Sequence, residues 1–317
     1  MAHPIGIVYE HPQWFRPLFA ELDRRGVAYT PLDLSDPDFG EHLGPFDLVL
    51  NRMSPSAWTR GHADAIERTR GYLRRLEDHG VPVLNGSQAF AYETSKVRQI
   101  ELFSGLGIRH PRSVTVDADT DLLAAAAGLD FPLLVKPNIG GSGAGMQSFA
   151  GAHELEAAAV AGDLTEISPD GLVLLQEHLS AAGDSIVRIE ILGDRFLYAI
   201  RIRLLPGSFN LCPADYCELP GIADGVSGRG LPIEGYEPPP DIVDQARRIV
   251  EAAGMDLGGV EYLIGAEDGH PYFYDVNALS NFVADAPTVI GFDPFVDLVD
   301  FLVDRVRLEG AGAAVRS

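Results

Sequence analysis

The sequence predicts a fold of helices and sheets that is α/β in its first part and α+β beyond it. Short apolar runs alternate with helical patterns between residues 5 and 85, which is typical of a parallel sheet. Beyond about residue 185, long strands follow one another without an intervening helix, which indicates antiparallel pairing. The 317 residues are 46% hydrophobic and 22% charged, values typical of globular proteins. This length is enough for about two domains.

Four strands are predicted in the first part of the chain. They are the apolar runs IGIVY (5–9), VAYTP (27–31), DLVLN (47–51) and VPVLN (81–85). Apolar residues at helical spacing predict one helix that ends at Gly26 and another between the last two strands. Ligands of parallel sheets bind beyond the carboxyl ends of the strands, where His11 and the segment 51–54 would lie.

The remaining elements suggest two further units. Helices are expected over about 94–106, 152–161, 241–253 and 295–306, with Asp241 as an N-cap. Strands are expected over 131–137, 172–176, 185–193 and 194–205, and in a hairpin over 259–277. We therefore divide the chain into an N-terminal α/β domain (1–90), a second unit (91–178), a third unit (179–308) and a disordered tail (309–317).

Charge and composition exclude several classes of protein. The chain has 24 Lys plus Arg and 46 Asp plus Glu, a net charge of −22, so its field would repel a nucleic acid. Its two cysteines, Cys212 and Cys217, are too few for a disulfide scaffold and make a poor zinc site, so we interpret them as ordinary loop residues. The sequence has neither a signal-peptide pattern nor an apolar stretch of about 18 residues. We expect a cytoplasmic protein without a membrane partner.

A lysine followed by a glycine-rich segment suggests a phosphate site. In FPLLVKPNIGGSGAGM (131–146), Lys136 ends an apolar strand and four glycines follow it. Glycines allow backbone N–H groups to approach an anion closely, and the lysine adds a positive charge. The spacing matches neither the G-x-G-x-x-G fingerprint nor the P-loop. A flexible hairpin tip with an exposed lysine remains an alternative for this segment.

The hairpin over 258–282 carries a candidate metal set. Asp275 and Asn277 are two residues apart on a strand, so their side chains share one face. With a three-residue loop 267–269 and a left-handed Gly269, Glu261 would face Asp275. The two carboxylates would repel each other unless a divalent cation such as Mg²⁺ lay between them. With a two-residue loop, Asp275 would instead face Tyr262 and no site would form; a solvated hairpin is the other alternative.

A third segment, LVLLQEHLSAAGD (172–184), joins an apolar strand to the later strands. Backbone groups of such a connection can contact a purine edge, and Asp184 can accept hydrogen bonds from ribose hydroxyls. Any linker between domains has the same appearance.

Taken together, these motifs resemble the ATP-grasp superfamily over roughly residues 90–305. The resemblance implies an ATP-grasp fold with a small lobe (91–178) and a large lobe (179–308). It implies that Lys96, in ETSKVRQIELFSGLGIRHP, and Lys136 grip the phosphates of ATP. The implied nucleotide contacts further include Gly140, Gly141, Ser142 and Gly143 in the loop, Gln176, Glu177 and Leu179 around adenine, and Asp184 at the ribose. Glu261, Asp275 and Asn277 are the implied ligands of Mg²⁺ or Mn²⁺.

The N-terminal part is similar to the domain that precedes the grasp in glutamate-adding (RimK-like) and lysine-biosynthesis ligases. VLNRMS (49–54) and VPVLNG (81–86) match the strand ends of that domain, and VRIEILGDRFLYAIRIR (187–203) matches core strands of the large lobe. The similarity implies that Arg201 and Arg203 act with Lys136 in catalysis. It suggests substrate contacts at His11, Arg52, Arg188, Asn210 and Ser280.

Two features depart from these relatives. The metal pair reads Glu then Asp, where most relatives have Asp then Glu. After Asn277 the chain reads ALSNF, where relatives have a Pro-Gly turn.

The resemblance implies an ATP-dependent ligase that activates a carboxylate, of an amino acid or a small peptide, as an acyl phosphate. An amine then displaces the phosphate, and ADP and phosphate are released. The implied partners are small-molecule carboxylates and amines, and the oligomeric state, including a homo-oligomer, stays open. Two alternatives are a phosphotransferase on the same scaffold and a non-catalytic sensor of ATP.

Overall fold

The structure is a computed structural model. It describes residues 3–39, 43–117, 119–141, 143–162, 164, 168–204 and 232–316, with side chains up to residue 310. Two predicted site residues, Ser142 and Asn210, and both cysteines lie outside the described residues.

A parallel sheet forms the first layer. Its strands are β1 (Ile5–Tyr9), β2 (Tyr29–Asp33), β3 (Leu48–Asn51) and β4 (Val83–Leu84), in the order β2-β1-β3-β4. A 3-10 helix, Pro12–Phe15, precedes α1 (Arg16–Arg25), which ends at Gly26 in the left-handed conformation as predicted. A second 3-10 helix, Pro55–Arg60, follows β3, and α2 (Ala63–Asp78) leads to β4. The parallel sheet places the carboxyl ends of β1 and β3 at one edge.

A four-stranded antiparallel sheet forms the second layer. After α3 (Ser87–Glu93) and α4 (Lys96–Gly105), the chain builds β5 (Ser113–Val116), α5 (Leu122–Ala126), β6 (Leu133–Pro137), β7 (Gln147–Phe149), α6 (Ala152–Ala161) and β8 (Val173–Glu177). The strand order is β5-β8-β6-β7. Ser95 caps α4, because its hydroxyl accepts a hydrogen bond from the N–H of Arg98.

A five-stranded antiparallel sheet forms the third layer. Its strands are β9 (Ala181–Leu192), β10 (Arg195–Arg203), β11 (Ile233–Gly235), β12 (Leu257–Gly265) and β13 (Pro271–Asn277), in the order β11-β10-β9-β12-β13. Three helices accompany them: α7 (Pro240–Ala252), α8 (Ala286–Val289) and α9 (Pro294–Arg316). Helix α7 starts at Pro240 with Pro239 at the N-cap, one to two residues before the Asp241 cap that the sequence suggested.

Side chains of this third sheet alternate between two cores. Val187, Ile189 and Ile191 of β9 pack with α7, whereas Ile186 and Leu192 belong to the core shared with the parallel sheet and α9. The same alternation divides β10, where Ile200 and Ile202 face the parallel sheet and Ala199 faces α7. The face on which a residue lies therefore decides whether it can reach the space between the layers.

The last helix is longer than the sequence suggested. Helix α9 runs to Arg316 and so includes most of the segment 309–317, for which we expected a disordered tail. Alanine is the strongest helix former, so the alanines of this segment favour continuation of the helix. Within the described residues, no helix combines the length and apolarity that crossing a membrane requires.

Candidate functional site

A cavity of about 860 Å³ lies between the three sheets. Residues from all three sheets and the loops beyond them line it. Of the residues that the sequence analysis selected, it contains Lys96, Lys136, Gly140, Gly141, Gly143, Gln176, Glu177, Leu179, Asp184, Arg188, Glu261, Asp275 and Asn277. Residues separated by up to about 180 positions in the chain thus meet around one space.

The two lysines reach the cavity from different elements. Lys96 is the first residue of α4 and forms an ion pair with Asp275. Lys136 lies on β6, with its Nζ 3.4 Å from Oε1 of Gln176 and 5.6 Å from the ring centre of Tyr274. Burial lowers the pKa of Lys136 to about 8, against the attraction of Asp275. The chain has 22 arginines and only these two lysines, and both line the cavity.

The carboxylates of the hairpin face each other as predicted. Glu261 on β12 lies opposite Asp275 on β13, and the Asn277 amide donates to Asp275 over 3.2 Å. Burial and the neighbouring Asp275 raise the pKa of Glu261, whereas Lys96 and Lys136 lower the pKa of Asp275 despite its burial. The cavity therefore holds a set of hard oxygen ligands beside two ammonium groups.

The route to this pairing differs from the predicted one. The N–H of Gly265 donates to the carbonyl of His270, so four residues, 266–269, form the loop instead of three. Ile264 then pairs with Pro271, and Tyr262 pairs with Phe273. If this register continued unchanged, Tyr274 would lie opposite Glu261. A β-bulge at Tyr274 shifts the register by one and brings Asp275 opposite Glu261. Gly269 is left-handed, with φ of 70°, as predicted.

Arg188 is the arginine that lines the cavity in this region. It is buried on β9 and donates to three partners: Glu190 Oε1 at 2.7 Å, Glu261 Oε1 at 3.1 Å and Ser280 Oγ at 2.9 Å. It therefore bridges a cavity carboxylate to the segment that follows Asn277. A buried guanidinium in this position can compensate negative charge that accumulates in the cavity.

Arg201 and Arg203 do not reach the cavity, contrary to our expectation. Arg201 faces the α7 side of the sheet, where it pairs with Glu234 at 3.1 Å and lies 4.0 Å from the ring centre of Tyr236. Arg203 shares that strand face and is exposed. The reason is a β-bulge between Phe196 and Tyr198, which reverses the side-chain alternation relative to β9.

The other three described substrate candidates lie behind the cavity wall. Arg52 is 2% exposed, packs against Phe15 and donates to the carbonyl of Ser280, and burial lowers its pKa to about 10. Ser280 thus joins Arg52 to Arg188. His11 stacks on Trp14 with ring centres 4.9 Å apart, and it is Trp14 that lines the cavity. These residues can shape the wall but do not form it.

One part of the cavity wall is mainly apolar. Leu134, Ile186 and Leu263 line the cavity near Gln176 and Leu179. The N–H groups of Glu177 and His178 donate to the carbonyls of Arg112 and Pro132, which fixes the connection after β8. The Glu177 carboxylate is bound by Arg112 and by the N–H of Asp130, so it supports the wall. Asp184, with φ of 46°, lies at the rim.

Sequence reasoning missed several lining residues, of which Glu93 is the most unusual. Its carboxylate is 3% exposed and accepts hydrogen bonds from the N–H groups of Ala278 and Leu279. Burial raises the pKa of Glu93 to about 7. Glu93 is the first residue of ETSKVRQIELFSGLGIRHP, the segment that contains Lys96, but nothing in that pattern marks it as a buried carboxylate. Trp14, Ser54, Ser56, Leu279 and Asn281 also line this side of the cavity.

The donor set fits a magnesium ion that is carried by a nucleotide. Among the described residues, no group of three or more His, Cys, Asp or Glu side chains could hold a metal. Glu261, Asp275 and Asn277 supply two carboxylates and an amide, and Mg²⁺ commonly takes one or two carboxylates together with substrate phosphates. The glycine loop packs close to the N-terminal domain, since a Cβ at Gly141 would lie 3.7 Å from Pro55 and Ser56. Oxygen ligands, lysines and loop thus enclose one space.

Two solved structures cover nearly the whole chain. D-alanine--D-alanine ligase from Bacillus anthracis complexed with ATP superimposes with a TM-score of 0.71 at 18% identity, over 98% of this chain and 100% of that one. ATP-grasp ligase PsnB complexed with minimal precursor, Mg and ADP superimposes with a TM-score of 0.65 at 21% identity, over 95% of this chain and 97% of that one. The chain therefore has the ATP-grasp fold that its motifs predicted.

Curated relatives agree with the predicted branch of the superfamily. Probable alpha-L-glutamate ligase 1 from Shewanella frigidimarina (strain NCIMB 400) is 28% identical over 286 residues, 88% of this chain and 85% of the relative. Probable alpha-L-glutamate ligase 2 from Shewanella sp. (strain MR-4) is 28% identical over 173 residues, which are 54% of this chain and 53% of the relative. The latter match spans about half the length of the relative. No protein-family model matches the chain. These similarities confirm the resemblance to the RimK-like branch of the ATP-grasp superfamily.

Proposed function

We propose that the protein is an ATP-dependent ligase that joins a carboxylate to an amine through an acyl phosphate. The observation that carries the proposal is the meeting of Lys96 and Lys136 with Glu261, Asp275 and Asn277 around one cavity. Such a set compensates the charge of a triphosphate and holds its metal, which a phosphoryl transfer to a carboxylate requires. The chain needs no nucleophilic side chain, because both reacting groups belong to the substrates.

Each group of cavity residues has its own proposed role in binding ATP and Mg²⁺. The apolar wall of Leu134, Ile186 and Leu263 would hold adenine, and Asp184 would bind the ribose. Lys96 and Lys136 would hold the phosphates while the glycine loop covers them and limits the access of water. Bound Mg²⁺, held by Glu261, Asp275 and Asn277, would neutralise negative charge on the phosphate oxygens.

Arg188 takes the role that we had assigned to Arg201 and Arg203. An oxygen of the substrate carboxylate attacks the γ-phosphorus, ADP leaves, and an amine nitrogen then attacks the carbonyl carbon and displaces phosphate. Negative charge develops on oxygens in both steps. Arg188 is the buried guanidinium at the cavity wall that can stabilise this charge, since it lies 3.1 Å from Glu261.

The side of the cavity near Trp14, Ser54, Ser56 and Asn281 is the proposed place for the two substrates. The names of the relatives, a glutamate ligase and a D-alanine–D-alanine ligase, support amino acids or short peptides as the substrate class.

The decisive experiment is a phosphate-release screen of amino acids and dipeptides as carboxylates against a panel of amines. The expected products are ADP and phosphate in equal amounts with the ligated compound. Detection of AMP and pyrophosphate, or of a stable phosphorylated product without an amine, would contradict the proposal.

Two substitutions connect the reaction to the cavity. Lys136→Met removes a buried positive charge and Asp275→Asn removes a metal ligand, so each is expected to lower turnover by at least about 100-fold. Circular dichroism should show that both variants keep the wild-type fold. Arg247→Gln, on the exposed surface of α7, changes charge away from the cavity and should leave turnover unchanged.

A further inference from the structure

A second cavity lies outside the proposed active site. It has a volume of about 250 Å³ and is bounded by α2, the start of α4 and the end of β6. Three arginines line it, Arg70 and Arg74 from α2 and Arg98 from α4, together with Ser95 and Asn138. This volume is somewhat below the ~300–1,000 Å³ of sites for drug-sized ligands, so it suits a small ion or metabolite.

The charges at this cavity are unusual for the chain. The net charge of the protein is −22, yet three guanidinium groups converge here. Arg70 and Arg74 are one helical turn apart, a spacing at which like charges destabilise a helix. An anion between the three groups would convert this repulsion into attraction.

The arginines are available for a ligand. Arg74 and Arg98 are exposed, and neither forms an ion pair or a side-chain hydrogen bond with any residue that the structure describes. Arg70 donates to Thr94 Oγ1 at 2.9 Å. Its buried Nε has no hydrogen-bond partner in the described structure and forms an ion pair of 3.6 Å with the exposed carboxylate of Glu67. The one carboxylate of the cavity, Asp170, accepts hydrogen bonds from Asn138, Ser168 and the N–H of Leu172, so it is already engaged.

We propose that this arginine cavity binds a phosphate group and that its occupancy is coupled to nucleotide binding. A tetrahedral oxyanion can accept several charge-assisted hydrogen bonds from a fork of guanidinium donors. The source of the group is inorganic phosphate or a small phosphate monoester. The binding site itself goes beyond the proposed ligase function and does not depend on it.

The coupling follows from the contacts of Asn138 and Ser95. The Asn138 side chain accepts hydrogen bonds from Ser95 Oγ and from the N–H of Val97, both at 3.0 Å, and its carbonyl accepts one from the N–H of Lys96 at 3.0 Å. Asn138 follows Lys136 by two residues, so it connects both cavity lysines to the arginine cavity. A phosphate held there would order the start of α4 and tighten the binding of nucleotide.

The test compares phosphate binding in matched variants by isothermal titration calorimetry. Arg74→Gln combined with Arg98→Gln removes two exposed charges of the cavity and should weaken phosphate binding at least tenfold. Arg247→Gln combined with Arg307→Gln removes two exposed arginines of α7 and α9, with the same change of net charge, and should bind as wild type does. Equal phosphate affinity in the two double variants would overturn the proposed phosphate site.

Three further measurements complete the test. The Lys136→Met variant should bind phosphate as the wild type does. Weaker phosphate binding by this variant would place the anion in the active site and refute the proposal. Titration with O-phosphoserine identifies the source: tighter binding than inorganic phosphate supports a monoester, and weaker binding supports the free ion. For the wild type but not for the Arg74/Arg98 variant, saturating phosphate should lower the Kd of a fluorescent ADP analogue at least twofold; an unchanged Kd would refute the coupling.

Discussion

At the scale of single residues, buried polar groups hold the segment that follows Asn277, one of the proposed metal ligands. Four backbone groups of residues 278–280 are bound by side chains from elsewhere in the fold. Asn85 donates to the carbonyl of Ala278, Glu93 accepts from the N–H groups of Ala278 and Leu279, and Arg52 donates to the carbonyl of Ser280. These side-chain hydrogen bonds fix the positions of Leu279 and Asn281 at the cavity.

The buried Glu93 makes the stability of the protein depend on pH. Burial raises its pKa from 4.5 to about 7, so between these values the folded chain binds more protons than the unfolded chain. Stability from this group is therefore fully present below about pH 4.5 and decreases as pH rises through 7. The shift corresponds to about 3 kcal/mol of unfolding free energy.

We expect Glu93→Gln to remove this dependence. Glutamine still accepts a hydrogen bond but does not ionise, so the variant should gain stability relative to wild type by up to about 3 kcal/mol between pH 5 and pH 8. Urea denaturation at both pH values measures the change, with Glu101→Gln, on α4, as a control. If the difference in unfolding free energy between variant and wild type stays constant from pH 5 to pH 8, Glu93 is ionised across that whole range.

At the scale of elements, two β-bulges decide which side chains reach the cavity. Without the bulge at Tyr274, Asp275 would lie opposite Val260, which faces the α7 core. Without the bulge between Phe196 and Tyr198, Arg201 would pair with Ile186 on the cavity side, where the resemblance had implied that it lies. The first bulge brings Asp275, a proposed metal ligand, into the cavity, and the second turns Arg201 away from it.

These bulges explain which parts of the site the sequence could predict. Residue types and spacing were enough to select Lys136, the glycine loop and the hairpin, because their chemistry is local. Lys96 was selected only through the resemblance to the ATP-grasp superfamily. The face of a residue on a long strand depends on every register shift before it. No glycine marks the shift at Leu197 or at Tyr274, so nothing in the sequence signals either bulge. The roles of Arg201 and Arg203 were implied by resemblance, which does not carry such a shift.

The absence of a side chain at Gly259 is equally important for the site. A Cβ at this position of β12 would lie 2.7 Å from Arg188 Nη2 and 2.9 Å from Glu190 Oε1. We expect Gly259→Ala to separate this buried ion pair and to lower the unfolding free energy by about 1–3 kcal/mol. It should also weaken nucleotide binding, since Arg188 contacts Glu261.

Thermal denaturation and a fluorescent ADP analogue measure these two effects. Gly105→Ala is the matched control, because a Cβ there meets no atom within 4 Å and alanine favours the helix. Equal stability of the Gly259 and Gly105 variants would indicate that Arg188 can move aside without cost.

At the scale of the whole molecule, the site depends on the assembly of all three sheets. The segment that follows β3 of the parallel sheet contributes the wall around Ser54 and Ser56, the second sheet carries Lys136, and the third carries Glu261 and Asp275. The sequence predicted a parallel first sheet and an antiparallel third sheet, but it gave no pairing for the second sheet and no signal for how the parallel sheet meets the others. That contact uses buried polar residues such as Asn85 and Arg52, which match no local pattern of secondary structure.

The distribution of lysine offers a direct test of this assembly. The chain has 22 arginines but only Lys96 and Lys136 as lysines, and these meet at the cavity from different elements. Any lysine-selective reagent therefore reports on this one space, apart from the terminal amine. The pKa of Lys136 is lowered to about 8, so a large fraction of its amine is uncharged and nucleophilic above that pH, whereas an ordinary lysine is still protonated.

We expect acetylation of Lys136, followed by mass spectrometry, to accelerate steeply between pH 7 and pH 9 and then to level off. A saturating mixture of ADP and Mg²⁺ should protect both lysines at least tenfold, because the phosphates would cover the two amines. ADP with EDTA should protect less, and Asp275→Asn should raise the ADP concentration needed for protection. Unchanged labelling of Lys136 in the presence of ADP and Mg²⁺ would mean that the nucleotide does not bind between the two lysines.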